Sequence, residues 1–406
     1  MSHYQSSKQQ DYLDFLKFCM APEGEPVPAC AGRIVWKQLL EFAMKQAVVG
    51  IFWQGFQRLG GLSANKPTGD DVMAWLAVAS SIARQNRKVN RAAVKVTRGF
   101  QKQGFDACIL KGQGNAGLYP HAELRTPGDV DVYVHPHKDG ASWKNDEEDM
   151  RKIIAFCKSF DASAKATYHH VDIPSVDGVS VEVHYRLTWV NAPGNNARLQ
   201  RALSKLMDGE AGVRSVSLQD GVGEIWVPGF EVNVIFLLGH LFNHLLHEGV
   251  GLRQLIDYYY LLKSHVCSED ERARLSSMIS QCGLKNASRA VSWMMVSVLG
   301  LPEKYLITAA DERYGRQMLR EMLAGGNFGK YDERMLSGAS SSKLMANIQR
   351  FVRVARMMAY YPSECLWEPW FRLWHWKWRI KHNKGVCVTN GCLGDVVKQE
   401  YVQKGE

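Results

Sequence analysis

Residues 108–134 read CILKGQGNAGLYPHAELRTPGDVDVYV, and this stretch decides the fold of the region around it. Asp129 and Asp131 stand two positions apart in a β-branched run, so a strand places both side chains on one face. Val130, Val132 and Val134 then face a core. Two neighbouring carboxylates repel each other unless a cation lies between them, and magnesium prefers such hard oxygen ligands. The pattern predicts a magnesium site at the start of this strand.

A third acid follows in residues 178–187, GVSVEVHYRL, which alternate in the same way. Val179, Val181 and Val183 share one predicted face, and the opposite face carries Glu182, His184 and Arg186. If the two strands are neighbours, Asp129, Asp131 and Glu182 converge as catalytic acids and metal ligands. Three acids on adjacent strands suit two-metal phosphoryl or nucleotidyl transfer. His184 either contacts that site or is a solvated or hydrogen-bonded strand histidine.

An Asp-x-Asp pair in a strand is common, and alone it is more often a solvated strand face than a metal site. Two further features favour the metal site here. A glycine turn, Lys111-Gly112-Gln113-Gly114, precedes the pair, and Glu182 follows it at strand spacing.

The order of these parts resembles the nucleotidyltransferase superfamily that includes polymerase beta. The chain is closer still to a bacterial family of uncharacterised nucleotidyltransferases. The matching stretches, within about residues 30–385, are Leu110-Lys111-Gly112, Leu118-Tyr119-Pro120, Arg125, Gly128-Asp129-Val130-Asp131, Glu182-Val183-His184 and the helical signature 251–257.

This resemblance implies a magnesium- or manganese-dependent enzyme that moves a nucleoside monophosphate from a triphosphate such as ATP to a hydroxyl acceptor. The implied site residues for nucleotide binding are Lys111, Gly112, Gln113, Arg125 and Gly128. The candidate residues for a substrate cleft are His184, His244 and Arg253. Many superfamily members carry Gly-Ser where this chain has Gly112-Gln113, so that serine contact is missing or replaced by Lys111 and backbone amides. A degenerate binding protein, or a member that modifies nucleic acid or protein, is the alternative.

Composition sets outer bounds on the class of protein. The chain has 406 residues, a net charge of +9 and 46% hydrophobic residues, which are compatible with a soluble globular protein that binds an anionic substrate. It shows neither a membrane-length apolar run nor a secretory leader, so no membrane partner is expected. Nine scattered cysteines without a Cys-x-x-Cys pair indicate reduced thiols and a cytoplasmic location.

The predicted fold class is α+β, with a small mixed sheet in a nucleotidyltransferase domain flanked by N-terminal and C-terminal helical regions. The expected boundaries are 1–104, 105–228 and 229–406. In the first region we expect one helix from Ile34 to Leu59, ended by Gly60-Gly61, and another from Asp71 to Gln103 with Asp70 as a cap. The basic side of the second helix is a solvated face or a wall facing phosphates.

Three other clusters have alternative explanations. His240, His244 and His247 share a helix face and are zinc ligands, cleft residues or core residues. Arg253 and Asp257, at i and i+4, are expected to pair.

The third cluster is the aromatic and basic segment 367–384, which could stack nucleic-acid bases or lie on a membrane surface. The favoured interpretation is a packed helix, because its apolar residues recur at core spacing. The inward residues would be Trp367, Trp370, Phe371, Trp374 and Trp378.

Overall fold

The computed structural model describes residues 7–59, 65–138, 143–329 and 343–383. The N-terminal helices are α1 Ser7–Met20, α2 Trp36–Lys45, α3 Val49–Gln57 and α4 Gly69–Lys102. The mixed region that follows contains β1 Phe105–Ile109, α5 Gln113–Ala116, β2 Val130–Pro136, α6 Glu147–Phe160, β3 His170–Val176, β4 Val179–His184, α7 Pro193–Met207, β5 Val213–Ser217 and β6 Glu224–Pro228. The remaining helices are α8 Phe230–His247, α9 Leu252–Lys263, α10 Glu269–Gln281, α11 Lys285–Ser297, α12 Glu312–Gly325, α13 Lys343–Met357 and α14 Pro362–Asn383. The α+β class is therefore confirmed.

The chain divides into two compact units, each assembled from three separate segments. We call Met1–Asn86, Leu118–Thr126 and Leu237–Cys365 the helical unit, and Arg87–Gly117, Pro127–Phe236 and Leu366–Glu406 the sheet unit. The three consecutive domains expected from sequence stay a prediction.

In the sheet unit, the main sheet has the strand order β1-β2-β4-β3. Strands β2 and β4 are parallel, whereas β1 pairs antiparallel with β2 and β3 pairs antiparallel with β4. The valines of β2 and β4 face a core formed with apolar side chains of α4 and α6. Because the other face of β2 and β4 carries the acids, alternation separates core from polar face as expected.

Local sequence signals explain several boundaries. Asp177 (φ 51°) and Gly178 (φ 70°) both have positive φ in the turn between β3 and β4, which is the conformation that a tight Asp-Gly hairpin turn requires. The long helix α4 is confirmed, but its cap is different from the expected one. Thr68 and Asp71 exchange hydrogen bonds there, in place of a cap by Asp70.

The predicted single helix from Ile34 to Leu59 is wrong, because α2 and α3 are separated at Gln46–Val48. Ala47 has φ 56° at the break, and the buried Gln46 side chain bonds the backbone of Met322 and Leu252 within the helical unit. Gly60-Gly61, the expected terminator, lies outside the described residues. Helix α7 and the hairpin of β5 and β6 were not anticipated from the sequence.

Helix α14 was expected to turn five aromatic side chains toward the core. Trp367 and Trp370 are 43% and 64% exposed, so their inward placement is wrong, while Phe371 and Trp378 are partly buried. Trp374 is 46% exposed, but one side of its ring packs on Tyr168. The inward stripe contacts Tyr168 through Phe371, Trp374 and Trp378.

The seven described cysteines are buried, and Cys387 and Cys392 lie outside the described residues. Among the helices that the structure describes, none is long and apolar enough to cross a membrane.

Candidate active site

The polar face of the main sheet brings the predicted acids together. Parallel pairing sets Asp131 opposite Glu182 and Tyr133 opposite His184, and Asp129 immediately precedes β2. The expectation that the two acid-bearing strands are neighbours is confirmed. Asp131 is buried, whereas the Glu182 side chain retains 28% exposure, so the carboxylates range from buried to accessible.

The glycine turn lies at the end of β1, where Leu110 N–H donates to the carbonyl of Asp131. Lys111 and Gly112 have φ of 22° and 47°, and Gly112 combines its positive φ with a ψ of −116°, a conformation that favours glycine. The turn directs the Lys111 ammonium to 3.0 Å from Asp131 Oδ1. Burial alone would lower the pKa of Lys111, but the charges of Asp131, Asp129 and Glu182 outweigh it and raise that pKa.

His184 links the two strand acids. Its Nε2 lies 3.0 Å from Asp131 Oδ1 and 3.4 Å from Glu182 Oε2. Burial opposes the charged imidazole, yet its hydrogen bonds to Asp131 and Glu182 raise its pKa to about 9. Burial likewise opposes ionisation of Glu182, but its bond to His184 and the charge of His170 lower its pKa to about 2. Asp131 Oδ2 is buried and lacks a hydrogen-bond partner among the described residues.

Two more histidines adjoin this cluster. His169 lies in a bend before β3, and His170 is the first residue of that strand. His169 Nε2 is 2.7 Å from His170 Nδ1, and their rings lie 5.4 Å from the ring of His184. Burial lowers the pKa of both imidazoles. The Trp189 ring packs against His169 at 4.2 Å.

Sequence reasoning missed Asp172. It pairs in register with Glu182 across β3 and β4, and its Oδ1 lies 3.6 Å from His170 Nε2. The available signal was its position two residues after His170 in the same strand.

Potential metal ligands form three overlapping groups here, and within each group the ligand atoms lie within 4.8 Å of one another. The groups are Asp131, Glu182 and His184; His169, His170 and His184; and His170, Asp172 and Glu182. An oxygen-rich position therefore adjoins a nitrogen-rich one.

Several other residues singled out from the sequence lie in surroundings that differ from the expected ones. Gln113 is buried, and its side-chain amide donates to Asn90 in the interior of the sheet unit. Nucleotide binding by Gln113 and by the exposed Gly128 stays a prediction. The expected shared face of Arg186 with Glu182 is wrong, because β4 ends at His184. The Arg186 guanidinium instead donates to the Tyr168 carbonyl at 2.7 Å.

Arg125, Arg253 and His244 belong to the helical unit. Arg125 Nε and Nη2 donate to the two oxygens of Asp257 at 2.7 Å each. The expected Arg253–Asp257 pair is wrong: among the described residues the partners of Asp257 are Arg125 and Tyr119, and Arg253 donates to the Thr126 carbonyl.

His244 Nε2 lies 3.0 Å from His240 Nε2, and its Nδ1 lies 3.0 Å from Glu248. A cleft role for His244 and Arg253, and zinc binding by His240, His244 and His247, stay predictions.

Comparison with known proteins places this chain in a family. A crystal structure of an antigenic nucleotidyltransferase-like protein from Paracoccidioides brasiliensis is similar at 12% identity and a TM-score of 0.30, covering 56% of this chain and 97% of that one. No curated protein matches the chain. The model of a family described as uncharacterised nucleotidyltransferases matches residues 33–300, well over half of the sequence. The chain therefore belongs to this uncharacterised nucleotidyltransferase family.

Proposed function

We propose that this protein is a metal-dependent nucleotidyltransferase that moves a nucleoside monophosphate from a triphosphate to a hydroxyl acceptor. The observation that carries the proposal is the register of Asp131 with Glu182 on parallel strands, beside Asp129 and Lys111. Family membership supports a general nucleotidyltransferase role. The metal, the nucleotide and the acceptor belong to the proposal.

The donor set suits magnesium or manganese. Asp129, Asp131 and Glu182 would hold the ions through carboxylate oxygens. One of these is the buried Oδ2 of Asp131, to which no described residue forms a hydrogen bond. When bound, two such ions would supply charge neutralisation of the triphosphate and of the attacking oxygen. Because its pKa is lowered to about 2, Glu182 stays ionised near neutral pH and suits a ligand better than a proton acceptor.

The chain's own residues would position the donor. Lys111 supplies a half-buried positive charge beside the acids, and the positive φ of Gly112 shapes the turn that presents it. The acceptor oxygen forms a bond to the α-phosphorus as the bond to the bridging oxygen breaks. Pyrophosphate leaves, and the hydroxyl proton passes to solvent. Positioning and charge neutralisation are the main contributions of such a site.

The test is thermal stabilisation by ATP, GTP, CTP and UTP, with and without magnesium, on the wild type and on Asp129→Ala. A ligand at 100 times its dissociation constant stabilises the native state by about 2.7 kcal/mol. We expect one triphosphate to stabilise the wild type in a magnesium-dependent way and to have no effect on Asp129→Ala.

Asp177→Asn is the matched control, because Asp177 is an exposed acid at the turn between β3 and β4, the strand that carries Glu182. It should respond like the wild type. A folded wild type that responds to none of the four triphosphates contradicts the proposal.

One observation favours a binding protein without turnover as the second candidate. Lys111 and His184 both lie 3.0 Å from Asp131 Oδ1, so two protein groups already contact a proposed metal ligand. Magnesium-dependent binding without pyrophosphate release, measured with excess enzyme and labelled triphosphate across a panel of hydroxyl acceptors, would support that function.

A further inference from the structure

The proposed function uses the carboxylates of the polar face and leaves its imidazoles unassigned. His169, His170 and His184 each offer a ring nitrogen, and these atoms lie within 4.8 Å of one another. Glu182 Oε2 adjoins two of them, at 3.9 Å from His170 Nδ1 and 3.4 Å from His184 Nε2. Three imidazoles therefore surround one small volume, and the Glu182 carboxylate lies beside it.

We propose that His169, His170 and His184 form a transition-metal site, of the type that binds zinc, next to the oxygen-rich position of Asp129, Asp131 and Glu182. This second site deepens the proposed function. It rests on that function in one respect, because Glu182 and His184 would adjoin both the oxygen-rich and the nitrogen-rich position. Metal binding itself requires neither nucleotide nor turnover. It requires His184 to release to solvent the ring proton that Asp131 and Glu182 stabilise in the metal-free protein.

The distances suit a tetrahedral ion. Two nitrogens bound to zinc at 2.0–2.1 Å lie about 3.3 Å apart. The spacing of His169 Nε2 and His170 Nδ1 is 2.7 Å, and none of the three ligand atoms is more than 4.8 Å from another. The nitrogens of His169 and His170 are thus closer than an ion requires, and ring rotations that move them about 0.6 Å apart would admit it.

The surroundings of His169 orient it as a ligand. Thr167 Oγ1 lies 3.3 Å from its Nδ1, which leaves Nε2 directed toward His170. The Trp189 ring, itself stacked with Phe371, covers the imidazole at 4.2 Å. A polar contact on the remote ring nitrogen is the usual way in which proteins fix a metal-ligating histidine.

Ligand chemistry separates the two positions. Imidazole nitrogen suits zinc, cobalt, nickel and copper, whereas magnesium prefers carboxylate oxygen and water. Three histidine ligands would leave a fourth position for Glu182 Oε2, water or a substrate oxygen, as in zinc sites that take part in catalysis. We expect this site to bind zinc and cobalt in preference to magnesium.

The experiment is a titration of the full chain, first freed of metal by a chelator, with cobalt(II) alone. We expect one equivalent to bind with the visible absorption of a four-coordinate cobalt centre. Zinc should abolish that band by displacement, and a large excess of magnesium should leave it. His169→Gln and His170→Gln should each weaken cobalt binding by about 100-fold or more, since each removes a ligand outright and even second-shell changes cost 10–100-fold.

His137→Gln is the matched control, because His137 is an exposed histidine of the same unit that pairs with Asp106 outside the cluster. It should keep the cobalt band. No band in the wild type, or a band that survives in both folded cluster variants, overturns the proposal. Asp129→Ala separates the two proposals: it should lose the magnesium–nucleotide response and keep the cobalt band. A wild type with a cobalt band and no nucleotide response would contradict the proposed function alone.

Discussion

Each unit contains a buried carboxylate that pairs with cationic side chains, and the two carboxylates differ in how many of their oxygens accept hydrogen bonds. In the helical unit both oxygens of Asp257 are bound by Arg125, and Tyr119 donates to one of them at 2.6 Å. In the sheet unit Lys111 and His184 share one oxygen of Asp131, and the other lacks a described partner. A buried carboxylate whose hydrogen bonds are complete stabilises a fold, whereas an incomplete one has capacity left for a ligand.

The largest expected effect comes from breaking the complete pair. Asp257→Asn leaves the Arg125 guanidinium buried without a countercharge, which should lower the free energy of unfolding by about 3–5 kcal/mol. Urea denaturation followed by circular dichroism measures this. Asp177→Asn, which breaks an exposed pair with Lys95, should cost under about 1 kcal/mol. Equal costs for the two variants would remove the distinction between buried and exposed pairs.

The next effect is a pH dependence that should have opposite sign in the two units. The pKa of His184 is about 9 in the folded protein, above its value in the unfolded chain. Its contribution to the free energy of unfolding is therefore present below about pH 6.5 and is lost as pH rises to 9. The shift corresponds to about 3 kcal/mol. Burial and the charge of Arg350 lower the pKa of His247 to about 3, so its contribution is present above about pH 6.5 and lost as pH falls.

Denaturation curves between pH 4 and 9, on metal-free protein, compare wild type with His184→Gln and His247→Gln. Stability of the His184 variant should vary less than wild type above pH 6.5, and that of the His247 variant less below it. An unchanged alkaline limb in folded His184→Gln would show that this imidazole is not held charged by Asp131 and Glu182.

The smallest expected effect on stability comes from the incomplete pair. Asp131→Asn keeps an oxygen acceptor and relieves repulsion with Asp129 and Glu182, while these acids still balance Lys111 and His184. We expect a cost of about 1–2 kcal/mol, below that of Asp257→Asn. Urea denaturation of the two variants side by side measures the difference. A larger cost for Asp131→Asn would mean that the site acid is primarily structural.

Sequence reasoning was most successful where alternation acts locally. The valines of β2 and β4 predicted the core face, and the same period predicted that Asp131 and Glu182 share the other face. It failed where a partner is distant in sequence. Arg125 and Asp257 are separated by 132 residues, so nothing local favours that pair over Arg253 with Asp257.

Helix α14 shows a different limit. Its aromatic spacing is that of a core helix, but the neighbouring surface accepts only the stripe that contacts Tyr168. Periodicity predicts which residues share a helix face, and it does not predict how wide a face the rest of the protein covers.

The discontinuous segments of the two units have a consequence for synthesis on the ribosome. In the helical unit Gln46 binds the Met322 carbonyl, and in the sheet unit Ala166 and Asn383 exchange backbone-to-amide hydrogen bonds. Each unit therefore needs residues that are translated more than 200 positions after its first ones. Neither can complete its native packing on the nascent chain until its last segment has emerged, so early apolar segments should depend on chaperones for protection.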